Sequence, residues 1–292
     1  MKFSASKALS ESFAIFSGRF TTMAPIALIF TLVPLVIFMA SFGASFAGLQ
    51  QNQGNPVAMM QAMLAMIGSF ALIFLIYMLV RTAGVCALCA AAASRQASSV
   101  GDAIREGLRA LVPMIGIYLL LIVCYIVIGV VLFLTVGLSF AAMFSAASSG
   151  AQQPGAASVG GIVLVMFLVM FAMLYVFTKL SMIVPAVVVD KERSPFKAIA
   201  RSWSLTRGAA FKIFLLFLLM GIGAGIINAI VNALSGGAVF LAPNSAGTVV
   251  WSQVAVAAVT GTAFAMYFIA LIVAIHEQLA GPSVAAISDT FE

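Results

Sequence analysis

Charged residues are scarce in this chain, which has only 14 Lys and Arg and 8 Asp and Glu among 292 residues. A soluble globular domain has about a quarter of its residues charged. Hydrophobic residues make up 64% of the chain, in long runs that do not alternate with polar residues. Because lipid cannot satisfy bare backbone groups, such a chain crosses a membrane as helices or as a closed barrel, and unalternating runs favour helices. The composition excludes a soluble domain and predicts an all-α polytopic membrane protein.

Histidine and cysteine are also scarce, with one His and three Cys. Cys86 and Cys89 have C-x-x-C spacing, but they lie among small apolar residues, and with a single His a zinc site is hard to assemble. We interpret the cysteines as small apolar side chains. No G-x-S-x-G or H-E-x-x-H motif is present, so we predict no catalytic residue, metal or cofactor. An acid–base pair of His276 and Glu277 is the alternative that would leave an enzyme open.

Six apolar runs are long enough to cross the bilayer core, which takes about 20 helical residues. The first run exceeds the apolar segment of a secretory signal, about 7–15 residues, so we interpret it as an uncleaved helix; a cleaved signal is the alternative. We predict one transmembrane domain, 1–292, with three hairpins, each preceded by a cytoplasmic amphipathic helix in the membrane interface. The runs lie near 21–47, 59–90, 111–145, 160–188, 209–235 and 250–279.

The connecting segments fall into two kinds by charge. Segments 48–58, 144–160 and 235–247 contain no charged residue, whereas the N-terminus and segments 93–110 and 189–212 hold most of the charge. Lys and Arg near helix ends are retained on the cytoplasmic side. The pattern predicts cytoplasmic N- and C-termini and three uncharged hairpin tips outside.

The most charged stretch runs from Asp190 to Lys212 and contains signals for a short helix. Ser194 suits the N-cap, Pro195 the first helical position and Gly208 the stop. Helical spacing puts two rings and an Ile on one face and basic residues on its flank, an arrangement typical of a helix lying in the interface of an anionic leaflet. The predicted membrane-surface residues are Phe196, Lys197, Ile199, Arg201, Trp203 and Arg207.

A similar pattern recurs at an interval of 95 residues. Ala8, Ala103 and Ala198 fall at equivalent positions of three segments that carry apolar residues at helical spacing. The interval predicts three repeats, 1–95, 96–190 and 191–292, each an interfacial helix followed by a hairpin. Chance matching is the alternative in so biased a composition.

The even-numbered runs carry ionisable residues near their inner ends. In two of them a Tyr precedes a basic residue by one helical turn, and the third ends in a His-Glu pair. Ionisable groups at membrane depth pair with each other or face a polar cavity, so we hypothesise that they converge on a pocket for an anionic lipid headgroup. Alternatively, the two basic residues extend to the interface and the Glu forms a structural ion pair with one of them. The candidate pocket residues are Tyr77, Arg81, Tyr175, Lys179, His276 and Glu277.

The fifth run contains a stripe of small residues that includes Gly221 and Gly225, with Asn228 and Asn232 able to hydrogen-bond across a close helix contact. This stripe predicts packing within one subunit or, as the alternative, a homo-oligomer. The glycines do not match G-x-G-x-x-G and no strand precedes them. We expect no nucleic-acid partner.

The order of Asp190, a charged turn, the helix from Lys197 to Gly208 and an apolar helix beginning at Phe211 resembles the glycerophosphoryl diester phosphodiesterase membrane domain family and its YciC-like inner-membrane relatives. The specific match spans 190–214, with loose agreement in hydropathy elsewhere. The resemblance implies a bacterial inner membrane and an association with lipids. It transfers no active site, because these residues include no phosphodiesterase motif.

The composition, the surface helix and the resemblance together predict a non-enzymatic inner-membrane protein. We expect it to bind, organise or move anionic phospholipid at the cytoplasmic leaflet. The alternatives are a small-solute transporter or efflux component, and a membrane scaffold or partner subunit of a larger complex.

Overall fold

A computed structural model describes residues 3–41, 54–93, 99–134, 156–234 and 251–280. These ranges contain helices and no strand, so the predicted all-α class is confirmed. Much of the three predicted outer tips lies outside them. In chain order the helices are α1 Ala5–Gly18, α2 Phe20–Ser41, α3 Pro56–Ala92, α4 Val100–Leu132, α5 Ala156–Leu180, α6 Ile183–Val188, α7 Pro195–Leu205, α8 Ala210–Leu234 and α9 Trp251–Ala280.

Within the described ranges, six helical segments are long and apolar enough to cross a membrane, as the sequence predicts. Four of them belong to α2, α3, α4 and α8, a fifth is Phe167–Val188, and the last is Val254–Ala280 of α9. The protein is therefore a multi-pass helical membrane protein by length and composition of its helices.

The second predicted surface helix is not a separate element. The structure makes Val100–Leu132 one continuous helix with Pro113 inside it, whereas the three-unit pattern predicts a surface helix separate from the span near 111–145. The proline removes one hydrogen bond, but its fixed φ is compatible with a helix, so the chain need not reverse there. At the equivalent place in the third segment, Gly208 has a φ of 85° and the chain does turn.

The fourth span is broken where the sequence predicted a continuous helix. α5 ends at Leu180, a turn at Ser181 and Met182 follows, and α6 begins at Ile183. Pro185 lies in the first turn of α6, where a missing N–H is tolerated, and its ring would clash with the Ser181 carbonyl in an unbroken helix. The proline therefore separates the two helices.

The buried core lies at the end of the bundle where α1, α6 and α7 pack against the longer helices. There the end of α3 from Cys86 to Ala92 is buried, and so is every residue of α6 except Val184. In α9 the buried stretch runs from Ile269 to His276. In the most apolar stretch of α9, 56% of the residues are buried, whereas in the most apolar stretch of α3 none is buried. α9 is therefore the central helix of the core, and α3 has a long face available to lipid.

Three short helical segments contact the core through the same pair of positions. Ala8, Ala103 and Ala198 are all completely buried. One helical turn further on, Ser12 hydrogen-bonds to the Tyr267 hydroxyl of α9, Gly107 abuts α3 and Ser202 donates to a backbone carbonyl of α5. Small side chains at these positions allow the helix axes to approach closely.

Candidate functional site

α7 forms where the sequence predicts it. Ser194 precedes the helix as its N-cap residue, Pro195 is the first helical residue, and the helix ends at Leu205. Gly208 then takes a positive φ that an L side chain rarely adopts, and the chain enters α8. The helix lies where these signals predict it, although the Ser194 side chain makes no capping hydrogen bond and Gly208 lies three residues beyond the last helical residue.

The exposed side of α7 carries both aromatic and basic residues. Phe196 is 72% exposed and Trp203 is 44% exposed, and Lys197 and Arg207 are exposed beside them. The opposite side, with Ala198 and Ser202, is buried. Ile199, which the sequence grouped with the lipid-facing rings, is partly buried and packs against the core, because it lies beside this buried side.

Lys179 lies in the last turn of α5 and is only 4% exposed. Its Nζ is 5.7 Å from the centroid of the Tyr175 ring and 5.4 Å from that of the Trp203 ring. The two rings meet edge to face at 6.4 Å, and Ser202 Oγ donates a 2.8 Å hydrogen bond to the Lys179 carbonyl. No described carboxylate forms an ion pair with this ammonium. Lys179 is therefore a buried cation that contacts two π faces and no anion within the described chain.

Arg81 lies in a different environment, on α3 next to α2. Tyr77, one turn earlier, stacks on Phe38 of α2 with ring centroids 4.8 Å apart. Arg81 is half-buried and has no ion pair with a described acidic residue. The helix continues without a break to Ala92, and its last turns are buried in protein.

His276 is 2% exposed and lies beside Asp190, which follows α6. Its Nε2 is 3.3 Å from Asp190 Oδ1, a close contact that lacks the alignment of a hydrogen bond. Arg201 Nε donates to Asp190 Oδ2 at 2.9 Å. Burial acts to raise the pKa of Asp190, but the His276 and Arg201 side chains outweigh burial and hold that pKa below its ordinary value. From the sequence, Asp190 is only the first charged residue after the fourth apolar run. A buried His near a helix end is nevertheless a signal to look for an acidic neighbour.

α7 connects two of these clusters. Arg201 contacts Asp190 and His276 belongs to the same cluster, while Trp203 contacts Lys179 two residues further along α7. Glu277 is exposed. No hydrogen bond or ion pair within the described ranges joins Arg81 to Lys179 or to His276. A single pocket shared by Arg81, Lys179 and His276 stays a hypothesis. The structure does bring Lys179 against two aromatic rings, those of Tyr175 and Trp203.

The small-residue stripe of α8 is open where we expected close packing within the subunit. A Cβ built at Gly221 or Gly225 would meet no atom within 4 Å, and Asn228 lies on the exposed part of the helix. α8 approaches α9 nearer its first turns, where Ile213 and Leu216 are buried. Packing through the stripe, within one subunit or in a homo-oligomer, stays a prediction. The Asn232 side chain lies outside the described part.

Six apolar spans around a buried core define a multi-pass α-helical membrane protein. The chain belongs to the family described as Domain of unknown function (DUF7847), whose match covers residues 36–279, more than four-fifths of the chain. No curated protein and no solved structure matched the chain in these comparisons. The resemblance to the glycerophosphoryl diester phosphodiesterase membrane domain family is not tested by this match and stays a prediction.

Proposed function

We propose that this protein binds anionic phospholipid at the cytoplasmic leaflet of a bacterial inner membrane and catalyses no reaction on it. The observation that supports the proposal is the environment of Lys179. A largely buried Lys side chain that forms no ion pair with a described acidic residue is costly, and two aromatic rings within 6 Å of its Nζ compensate for part of that cost. A lipid phosphate would supply the missing negative charge.

The outer side of α7 fits the same ligand. Phe196 and Trp203 present rings and Lys197 presents a cation on the exposed surface of this short helix, and Arg207 adds a second exposed cation in the turn that follows it. Such a helix places rings at the acyl boundary and cations among headgroups. Each Lys or Arg near an anionic leaflet contributes about 1 kcal/mol to the attraction. α7 would therefore bring the lipid surface to Lys179, which Trp203 contacts directly.

The proposed arrangement has cytoplasmic termini, three hairpins and three repeats over 1–95, 96–190 and 191–292. The complete burial of Ala8, Ala103 and Ala198, at the 95-residue interval, supports the repeats. So does the buried residue one turn later in each segment, since Ser12, Gly107 and Ser202 each contact a long helix. In this arrangement α1 and α7 lie at the inner end of the bundle.

A lipid-binding measurement on two charge variants tests the proposal. Native mass spectrometry of the purified protein with added phosphatidylglycerol or phosphatidylcholine would compare the wild type with Lys179→Gln. Arg105→Gln is the matched control, because Arg105 is an exposed cation on α4 with no ion pair to a described residue. A charged hydrogen bond contributes about 1.5–3 kcal/mol, so we expect Lys179→Gln to bind phosphatidylglycerol at least about tenfold more weakly.

The control should lose less than about fivefold, the effect of one surface cation. Lys179→Arg should retain most of the binding because it keeps the charge. Undiminished phosphatidylglycerol binding by a folded Lys179→Gln protein would contradict the proposal, as would equal losses in Lys179→Gln and Arg105→Gln.

A further inference from the structure

A cavity of about 870 Å³ lies between α1, α2, α8 and α9. Along α8 and α9 the cavity is bordered by Gly223, Gly225 and Gly261, which carry no side chain. A Cβ at any of these positions would meet no atom within 4 Å. Aliphatic and aromatic side chains form most of the remaining lining, including Leu219 and Phe264. The cavity is separate from Lys179, which does not line it.

The cavity lies at membrane depth. Its α8 and α9 residues belong to the apolar spans Ala210–Val231 and Val254–Ala280. Apolar cavities do not hold water well, and the volume is in the range of protein sites that bind small molecules, about 300–1,000 Å³. The chemistry that fits a space of this kind inside a bilayer is a hydrocarbon chain.

A cation lies above the cavity on the same face of α8. Lys212, Leu219 and Gly223 are spaced by about two and three helical turns, so they follow one line along the helix. Lys212 is exposed near the first turn of α8, and Leu215 and Leu219 are exposed between it and Gly223. The eleven residue steps from Lys212 to Gly223 span about 16 Å, and one leaflet contributes about 15 Å of hydrocarbon. An acyl chain that begins near Lys212 therefore ends at the depth of the cavity.

We infer that the cavity holds one acyl chain of an anionic phospholipid whose phosphate lies at Lys212. Charge complementarity at Lys212 selects an anionic headgroup, and the exposed Leu215 and Leu219 mark the path of the chain into the space beside Gly223. The ligand class is that of the proposed function, but the cation and the site differ. The protein would thus bind two lipids, one at Lys179 and one along α8.

Filling the cavity tests the inference. Gly223→Phe places a ring in the space, and Gly129→Phe is the matched control, since Gly129 is an exposed glycine of α4 that also has no atom within 4 Å of a Cβ. In native mass spectrometry with phosphatidylglycerol, we expect Gly223→Phe to bind one lipid fewer than the wild type and Gly129→Phe to bind the same number. Lys212→Gln should weaken phosphatidylglycerol at this site about fivefold, the effect of one surface cation, and leave phosphatidylcholine unchanged. An unchanged lipid count in Gly223→Phe would overturn the inference.

Photo-crosslinking of the unmodified protein covers the case in which Gly223→Phe fails to fold. Phosphatidylglycerol with a diazirine in the middle of one acyl chain should label the cavity residues of α8 and α9 more strongly than the exposed face of α3. Equal labelling of all lipid-facing helices would overturn the inference. If Lys179→Gln loses lipid binding while Gly223→Phe and Lys212→Gln keep it, the result supports the proposed function and not the acyl-chain site. If Gly223→Phe and Lys212→Gln lose binding while Lys179→Gln keeps it, the result supports the acyl-chain site and not the proposed function.

Discussion

His276 of α9 lies with its Nε2 3.3 Å from Oδ1 of Asp190, a residue 86 positions earlier in the chain that follows α6. The other carboxylate oxygen accepts a 2.9 Å hydrogen bond from Arg201 of α7. One carboxylate therefore connects the most buried long helix to the helix that carries the proposed lipid surface. A small shift of α7 would therefore alter the environment of the buried His276 side chain, and a change at His276 would in turn affect α7.

Removing this carboxylate should loosen the inner end of the bundle. Asp190→Asn loses the charged hydrogen bond from Arg201 and the carboxylate contact with His276, and a hydrogen bond to a charged group contributes about 1.5–3 kcal/mol. We expect the free energy of unfolding to fall by about 2 kcal/mol, measured as a lower thermal midpoint in detergent. Glu192→Gln is the control, because Glu192 is a nearby acidic residue with no described ion pair. A similar loss in the control would argue against a specific role for Asp190.

The same contact should depend on pH. The pKa of Asp190 is lower in the folded protein than its ordinary value of 3.8. The unfolded chain therefore takes up the proton first as the pH falls, so the carboxylate stabilises the fold fully above that value and loses its effect as the pH drops through the folded-state pKa. The difference in thermal midpoint between wild type and Asp190→Asn should shrink as the pH falls below about 4. A difference that persists unchanged in strong acid would be inconsistent with this origin.

Gly107 should not tolerate even a methyl group. A Cβ at this position would lie 2.7 Å from the Ala83 carbonyl oxygen and 2.7 Å from the Ala87 nitrogen, and these backbone atoms of α3 can move only with the helix. Overpacking of this kind costs about 1–3 kcal/mol, so Gly107→Ala should lower the thermal midpoint. Gly129→Ala is expected to be neutral or stabilising, because the space there is open and Ala favours helix by up to about 1 kcal/mol. Equal midpoints for the two variants would show that the α3–α4 crossing can relax.

Arg19 holds the end of α3. Its Nη1 donates to the carbonyl oxygens of Ala91 at 3.0 Å and Ala93 at 3.3 Å, at the C-terminal end of the helix, where carbonyls need partners from outside it. In Arg19→Met these carbonyls lose their donor, and hydrogen–deuterium exchange should become faster in the peptide that ends α3. Arg105→Met removes a cation without such contacts and should leave that peptide unchanged. Protection that is identical in both variants would mean that other donors satisfy the carbonyls.

The orientation of the bundle is tested at the first predicted outer tip. Asn52 lies outside the described residues, in a segment with no native charge. A Lys substituted there should react with an impermeant amine reagent added to intact cells, because the positive charge of the chain is concentrated at the other end of the helices. Labelling only after lysis would reverse the topology and would place the proposed lipid site in the other leaflet.

Local signals were sufficient for several parts of this fold. The six apolar spans follow from helix length against bilayer thickness, and the limits of α7 follow from Ser194, Pro195 and Gly208, whose effects act within one turn. Local rules failed at Pro113 and Pro185, where the same residue type lies inside one helix and separates two others. A proline restricts only its own turn, and the packing of neighbouring helices decides whether the chain continues or bends.

The sequence by itself determined the class of protein, because hydropathy and the cost of bare backbone in lipid leave helices as the choice for these runs. It also placed a cation at Lys179 one turn after Tyr175. Only the tertiary structure brought Trp203 to that cation, paired Asp190 with His276, and left Gly223 and Gly225 of α8 facing a cavity. These relationships join residues far apart in the chain, and they depend on how closely the helix axes approach each other. Side-chain volume at positions such as Gly107 and Ser202 decides that distance, and hydrophobic periodicity does not encode it.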